Sequence, residues 1–343
     1  MKNIKFRKFV IGSNFPVFII AESGINHNGS LKIAKKMGDA AKKTGVTCIK
    51  FQTHIAEEEM IKTSITPGKI SKKTLWNIIK ESELSENDEI KLKKYCDKQK
   101  ILFLSTPFSK KAVDRLEQLK VPAYKIGSGE LTNLPFLKHI SKTLKPVILS
   151  TGMSEISDIR RAVKIFQKSK TPFALLQTTS TYPSQFNEIK LGMIEKLEKS
   201  FNVPIGISDH SPGIYIPLAA VAKGACIIEK HFTLNKKMTG PDQNFSLNPI
   251  ELSELVKGVR AVSEALGSTK IIQNNEKAIK KFAYASVVSI DSIKKNQILS
   301  ESNISTKRPG TGKIMAYDFY KILGKKAKHN ISKNKQLSWS DVE

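Results

Sequence analysis

A chain of 343 residues with 40% hydrophobic side chains exceeds one minimal domain and fits a large α/β domain plus a small one. Its net charge of +26 raises nucleic-acid binding, but the lysines are scattered along stretches such as IAKKMGDAAKKTG and IKLKKYCDKQK. There is no single basic arm and no aromatic-plus-arginine stacking pattern, so the charge is that of a solvated surface that also attracts small anionic substrates.

The start, MKNIKFRKFVIGSNFPVFIIAESG, is interrupted by Asn14 and Pro16 and runs into a charged strand end instead of a cleavage site. No apolar run reaches membrane-span length. The reading is a cytoplasmic protein with no nucleic-acid and no membrane partner. From there, strand-like apolar runs recur: VFIIAESG (17–24), VTCIKFQTH (46–54), ILFLSTPF (101–108), AYKIGSG (123–129), PVILSTG (146–152), FALLQTTSTYP (173–183), VPIGISDH (203–210) and ACIIEKHF (225–232). Amphipathic stretches lie between them, among them SLKIAKKMGDAAKKTG, ENDEIKLKKYCDKQK, SKKAVDRLEQLK, ISDIRRAVKIFQKSK and IKLGMIEKLEKSF. Apolar strands alternating with amphipathic helices predict a parallel sheet covered by helices, and eight such units in about 250 residues have the size of a (β/α)8 TIM barrel. A doubly wound sheet is the alternative, but no glycine-rich dinucleotide loop follows the first strand. Cys48, Cys96 and Cys226 have no metal-like spacing and are expected as buried, reduced thiols.

Residues 1–265 thus form the expected barrel, and 266–281 (LGSTKIIQNNEKAIKK) a polar linker with a helical part. Residues 282–343 form a small β-rich module. It opens on FAYASVVSI (282–290), expected as a strand, and contains two similar phrases, IKKNQILS (293–300) and ISKNKQLS (331–338), expected as hairpins. Between them lies the Gly/Pro loop KRPGTGK (307–313). About sixty residues make a marginal core, so the module is expected to dock on something.

In barrels the site is built at the C-terminal strand ends. Here those ends carry Glu22; Lys50 and Gln52; Ser105, Thr106 and Phe108; Lys125 and Ser128; Ser150 and Thr151; Thr178, Thr179, Ser180 and Tyr182; Ser208, Asp209 and His210; Glu229 and His231. Any one hydroxyl can simply cap the next helix, but eight polar ends converge on one mouth. Lys50, Lys125 and the hydroxyls suit a phosphate or carboxylate. His210 and His231 either share one divalent metal with water and substrate oxygens, or are two ordinary hydrogen-bonded strand-end histidines. Glu22 suits proton transfer or holding a water. In INHNGS (25–30), Asn28-Gly29 signals a turn, Ser30 an N-cap, and His27 either touches ligand or stabilises the turn. The long loop MTGPDQNFSLNP (238–249) places Asp242 and Gln243 to grip a polyol.

AESGINHNGS, IKFQTHIAEEEM, LSTPFS, AYKIGSGE, ILSTGM, TSTYP, GISDHSPG, IIEKHFTL, GPDQNFSLNP, FAYASVV and KRPGTG together resemble the bacterial sialic acid (N-acetylneuraminate) synthase family in order and spacing. The resemblance covers essentially the whole chain, and the final module is similar to an antifreeze-like (SAF) domain. It implies an enzyme that condenses phosphoenolpyruvate with an N-acetylated amino sugar, typically N-acetylmannosamine, and water to give a nine-carbon 2-keto sugar acid and phosphate. It implies a catalytic set of Glu22, Lys50, His210 and His231, with His210 and His231 binding Mn2+ or Mg2+. Lys50, Thr106, Lys125, Ser128, Ser150, Ser180 and Ser208 would bind phosphoenolpyruvate. Gln52, Tyr182, Asp242, Phe282 and Arg308 would bind the sugar, the last two from a domain-swapped homodimer in which the C-terminal module crosses to the other barrel. Asp209, on the other side of the pleat, is expected to orient or support. Ser180 stands where the best-known members carry Asn, and Phe51 where they carry His. Synthases of legionaminic or pseudaminic acid share the scaffold, so the exact amino sugar stays open, with QTHIAEEEM favouring N-acetylmannosamine.

Overall fold

The computed structural model describes residues 3–68 and 72–343, and the chain divides into two compact units, Met1–Gly267 and Ser268–Glu343. In the first unit a hairpin of two short strands, β1 (Ile4–Phe6) and β2 (Phe9–Ile11), precedes eight parallel strands. These are β3 (Phe18–Gly24), β4 (Cys48–Thr53), β5 (Leu102–Pro107), β6 (Tyr124–Ile126), β7 (Val147–Ser150), β8 (Phe173–Thr178), β9 (Ile205–Asp209) and β10 (Ile227–His231). Their order is β5-β4-β3-β10-β9-β8-β7-β6, and β5 and β6 at the two ends lie side by side, so the ring is nearly closed. The eight strands fall within the eight predicted runs, and the helices Leu31–Thr44, Glu86–Lys98, Lys110–Gln118, Ile156–Ser169 and Gly192–Phe201 within the amphipathic stretches; Leu75–Ser82, Leu134–Ser141, Tyr215–Ala222 and Pro249–Ala265 lie outside them.

Local chemistry explains the helices. Leu31–Thr44 starts where the Ser30 hydroxyl accepts the Ile33 N–H and stops at Gly45, whose φ of 82° few other residues adopt. Its buried residues, Ala34, Met37, Gly38 and Ala41, follow the helical repeat and pack on the outside of the barrel.

Each barrel strand has an outward set and an inward set, because successive side chains alternate faces. Ile19, Ala21, Ile49, Phe103, Leu149, Leu175, Ile205, Ile207 and Ile228 belong to the core under the helices. Phe18, Ile20, Cys48, Leu102, Leu104, Ile148, Ala174, Leu176 and Ile227 form a second cluster inside the ring, closed from its N-terminal end by Ile4, Phe6 and Ile11 of the hairpin. The Phe18 ring meets Phe6 and Phe9 at 5.6 and 5.7 Å between centroids, edge-on. The hairpin was not foreseen, because three-residue strands around Arg7 are too short to show a period of two. All three cysteines are buried and free, as expected.

In the second unit the helix Glu276–Ala283 is followed by antiparallel β11 (Ser286–Ser289) and β12 (Ile304–Lys307). FAYASVVSI is therefore not one strand: Phe282 closes the helix and only Ser286–Ser289 is extended. The two repeated phrases turn at Asn296 and Asn334, both with φ near 65°, but they pair with each other, Ile293 and Ile331 exchanging backbone hydrogen bonds at 2.8 Å. Both supply the small core, through Ile293, Leu299, Ile331 and Leu337. No helix among the described residues is long and apolar enough to cross a membrane.

Candidate active site

Two residues beyond the apolar cluster, the inward positions of the same strands become ionic. Register brings His231 beside Glu22, Glu22 beside Lys50, and Thr178, Ser208 and Glu229 side by side across β8, β9 and β10. Lys50 Nζ lies 2.5 Å from Glu22 and 3.9 Å from Glu229, and donates to Thr106 Oγ1 at 3.0 Å. Lys125 Nζ donates to Ser150 Oγ at 2.8 Å and lies 3.4 Å from Glu229, which also accepts from Ser208 at 2.9 Å. All of these side chains are buried. Burial, against the pull of Lys50 and with the repulsion of Glu229, lifts the Glu22 carboxyl to about 7. Glu229 is pushed up by the same burial, but Lys125 and Lys50 outweigh it and hold it below the usual carboxylate range. Burial lowers Lys125, while Glu22 and Glu229 keep Lys50 raised against the same penalty. Two lysines thus face one firmly ionised carboxylate and one near half-protonation, a surplus of positive charge suited to an anion.

Beside them is a small cradle. The Gly152 N–H donates to Ser128 Oγ at 3.0 Å, and a Cβ at Gly152 would run into both Ser180 Oγ and Ser128 Oγ. Ser180 Oγ is buried without a hydrogen-bond partner. An unpaired hydroxyl beside a glycine and the two lysine-bearing strands fits a phosphoryl or carboxylate oxygen.

Across the mouth, the His210 and His231 rings lie 5.3 Å apart between centroids. His210 Nδ1 meets the Thr179 carbonyl at 2.7 Å, so that nitrogen is the N–H and Nε2 keeps its lone pair. His231 Nδ1 is buried with no hydrogen-bond partner, 3.8 Å from Asp242 Oδ2. Burial lowers both imidazoles, His231 well below the usual range with help from His210 and the lysines, so both are neutral. Two neutral imidazoles with free lone pairs suit a divalent cation, although no group of three or more His, Cys, Asp or Glu among the described residues is set to enclose one. Tyr182 packs on His210 at 4.2 Å and Phe245 on His231 at 5.2 Å, walling the pair. Asp242, lifted to about 6 by burial, stands at the same mouth.

Several expectations are sorted by strand parity. Ser105 faces outward and shares a hydrogen bond of 2.8 Å with Thr53, while its neighbour Thr106 faces in. Asp209 also faces outward: it pairs with the fully buried Lys230 at 2.5 Å and accepts from the Ser211 hydroxyl and N–H, while Lys230 donates to the Ser211 carbonyl as well. That network braces the turn after His210, the supporting role expected for Asp209. His27 takes the turn alternative, its Nδ1 accepting from the Gly29 N–H at 3.2 Å. Gln243 is not a polyol contact. It is fully buried, accepts from Thr233 and donates to the Asn26 carbonyl at 3.0 Å, so it anchors the loop that presents Asp242. Gln52 donates to Glu22 at 3.0 Å.

The mouth therefore brings together Glu22, Lys50, Gln52, Thr106, Lys125, Ser128, Ser150, Ser180, Tyr182, Ser208, His210, His231 and Asp242. Phe282 and Arg308 belong to the second unit, both exposed; there the Gly310 N–H donates to Lys281 O at 2.8 Å, tying the Arg308 loop to the end of the helix that carries Phe282. Glu229 and Gly152 are site residues to which sequence reasoning assigned no role. The signal for Glu229 was parity with His231, two residues on.

Residues 37–271 match the model of the NeuB family, and residues 284–343 that of the SAF domain. An uncharacterized protein of Methanocaldococcus jannaschii is 42% identical, over 100% of this chain and 99% of its own. The N,N'-diacetyllegionaminic acid synthase of Campylobacter jejuni is 40% identical, over 93% of this chain and 98% of its own. Among solved structures, the N-acetylneuraminic acid (sialic acid) synthetase of Leptospira borgpetersenii, in complex with citrate, superposes with a TM-score of 0.73 at 37% identity, over 81% of this chain and 95% of that one. With a barrel whose inward strand ends form one ionic mouth, and a family match over most of its length, this chain belongs to the NeuB family of sialic acid synthases and ends in an SAF domain.

Proposed function

We propose that the protein joins phosphoenolpyruvate to an N-acetylated amino sugar, N-acetylmannosamine in the first reading, giving a nine-carbon 2-keto sugar acid and phosphate. The observation that carries this is the pairing of a positive cradle, built from Lys50, Lys125, Ser128, Gly152 and Ser180, with two neutral imidazoles in the same mouth, His210 fixed by the Thr179 carbonyl and His231 with its Nδ1 unpaired.

Lys50, Thr106, Lys125, Ser128, Ser150, Ser180 and Ser208 hold the phosphate and carboxylate of phosphoenolpyruvate by charge-assisted hydrogen bonds. His210 and His231 would hold Mn2+ or Mg2+, which when bound polarises the aldehyde of the open-chain sugar toward C3 of the enolpyruvate. Gln52, Tyr182 and Asp242 hold the sugar hydroxyls. C3 bonds to the aldehyde carbon, whose oxygen takes a proton. Water adds at C2, and the C–O bond to phosphate breaks, so the water oxygen remains as the 2-keto oxygen. Glu22, with its carboxyl near 7 and Lys50 at 2.5 Å, is placed to exchange the protons of these steps at neutral pH. A homodimer in which the second unit crosses to the other barrel, with Phe282 and Arg308 completing the sugar site there, is part of the same proposal; mixing Arg308→Ala with His231→Ala subunits should then restore activity that neither has alone.

Phosphate release from phosphoenolpyruvate with Mn2+ and N-acetylmannosamine tests the reading, with His210→Ala and His231→Ala as inactive controls. A second amino sugar, the diacetylated precursor of legionaminic acid, is supported by the 40% identity to an N,N'-diacetyllegionaminic acid synthase. Faster turnover with that sugar would select it, and no phosphate release with either sugar, or with the pseudaminic acid precursor, would overturn the reading.

A further inference from the structure

The Gln52 carboxamide is held at both ends. Nε2 donates to Glu22 Oε1 at 3.0 Å, and Oε1 faces His54 Nε2 at 2.9 Å. The imidazole is itself held: Nδ1 lies 2.9 and 3.0 Å from the two oxygens of Glu59, and its face stacks on Phe108 at 4.3 Å with 15° between planes. The His54 and Glu59 side chains are 3% and 4% exposed. Two oxygen groups, the Glu59 carboxylate and the Gln52 carbonyl, thus face the two ring nitrogens. Turning the amide over would remove the donation to Glu22 and set the Gln52 carbonyl against a carboxylate oxygen. The proposed reaction gives His54 no task.

We infer that His54, locked by Glu59 and Phe108, is a positioning residue that holds the Gln52 carboxamide one way up, with its second N–H offered to an acceptor oxygen of the sugar. The identity of that acceptor rests on the proposed function; the orientation of the amide does not. Gln52 then discriminates for a lone pair at that point of the substrate, and the chain Glu59–His54–Gln52–Glu22 ties sugar recognition to the carboxyl that exchanges protons.

The test is His54→Phe, which keeps the stack on Phe108 and removes both hydrogen bonds, alongside Gln52→Met and the double variant. His54→Phe is expected to raise the KM for the sugar about tenfold, as for one lost hydrogen bond in a buried site. The KM for phosphoenolpyruvate and the Mn2+ affinity by titration calorimetry should stay near wild type, while the melting temperature falls because the buried Glu59 carboxylate loses its partner. The double variant should show no higher sugar KM than Gln52→Met alone, since His54 acts only through Gln52. Additive effects, or an equal rise in the KM for phosphoenolpyruvate, would overturn the inference. If the wild-type protein turns over no amino sugar, the functional reading fails by itself. The orientation is then read from the Gln52 side-chain amide resonances, assigned by their loss in Gln52→Met: a shift in His54→Phe supports the lock, and unchanged resonances overturn it.

Discussion

The two ends of the barrel interior are built on the same inward positions of the same strands, and they differ in what those positions hold. At the N-terminal end, Ile20, Cys48, Leu104, Leu176 and Ile227 fill the ring with carbon and sulfur and bury it fully or nearly so. Two residues further along four of those strands stand Glu22, Lys50, Thr106 and Glu229, equally buried but charged or polar and incompletely paired: Glu22 Oε2 and Glu229 Oε2 have no hydrogen-bond partner, although lysines lie nearby. Burying charge costs free energy that packing does not return, so the first end stabilises the fold and the second holds a cost that a ligand can offset.

The sharpest break in that comparison is the double variant Lys125→Met/Glu229→Leu. It removes one buried charge of each sign and should lower phosphate release by about a thousandfold or more, while stability holds or rises by ~1–4 kcal/mol, as apolar replacement of buried ion pairs often does. A large fall in melting temperature would show that the ionic end also holds the barrel together. Next come His210→Ala and His231→Ala, each expected to weaken Mn2+ binding by about a hundredfold in calorimetric titration of the ligand-free protein, with the fold intact by circular dichroism.

At the opposite end, Ile20→Ala should cost about 3 kcal/mol of stability in urea titration and leave the KM for phosphoenolpyruvate within twofold. Next is the pH dependence set by His27, whose folded pKa of about 4 lies below the ordinary value because of burial, with His54 adding repulsion. Above pH 6.5 the ring is neutral in both states and costs nothing. As pH falls from 6.5 to 4 the unfolded chain takes up the proton first, so stability drops by up to ~3 kcal/mol. His27→Asn, which keeps an acceptor for the Gly29 N–H, should flatten that dependence between pH 7 and 5. The smallest effect is Ser30→Ala, a lost N-cap outside both ends, at about 1 kcal/mol.

Much of the site was legible because barrel strands end in runs where apolar residues give way to polar ones. Glu22, Lys50, Thr106, Lys125, Ser150, Ser208, His210 and His231 could be named from their positions and meet at one mouth. Gln243 was misjudged because a loop glutamine looks the same in sequence whether it grips a ligand or the Asn26 carbonyl. Phe282 was placed in a strand because β-branched and aromatic residues follow it, yet Glu276–Ala283 supplies a helical turn first.

Local pattern alone determined the eight strands, as short apolar runs ending in polar residues, and five of the barrel helices, by their 3.6-residue repeat, since run length and period are local properties of the chain. Tertiary structure alone decided which inward residues touch. Glu229 between two lysines, the orphaned Ser180 hydroxyl against Gly152 and the Asp209–Lys230 brace each join residues 21 or more positions apart. Such contacts depend on strand order and register around the ring, which no local pattern encodes.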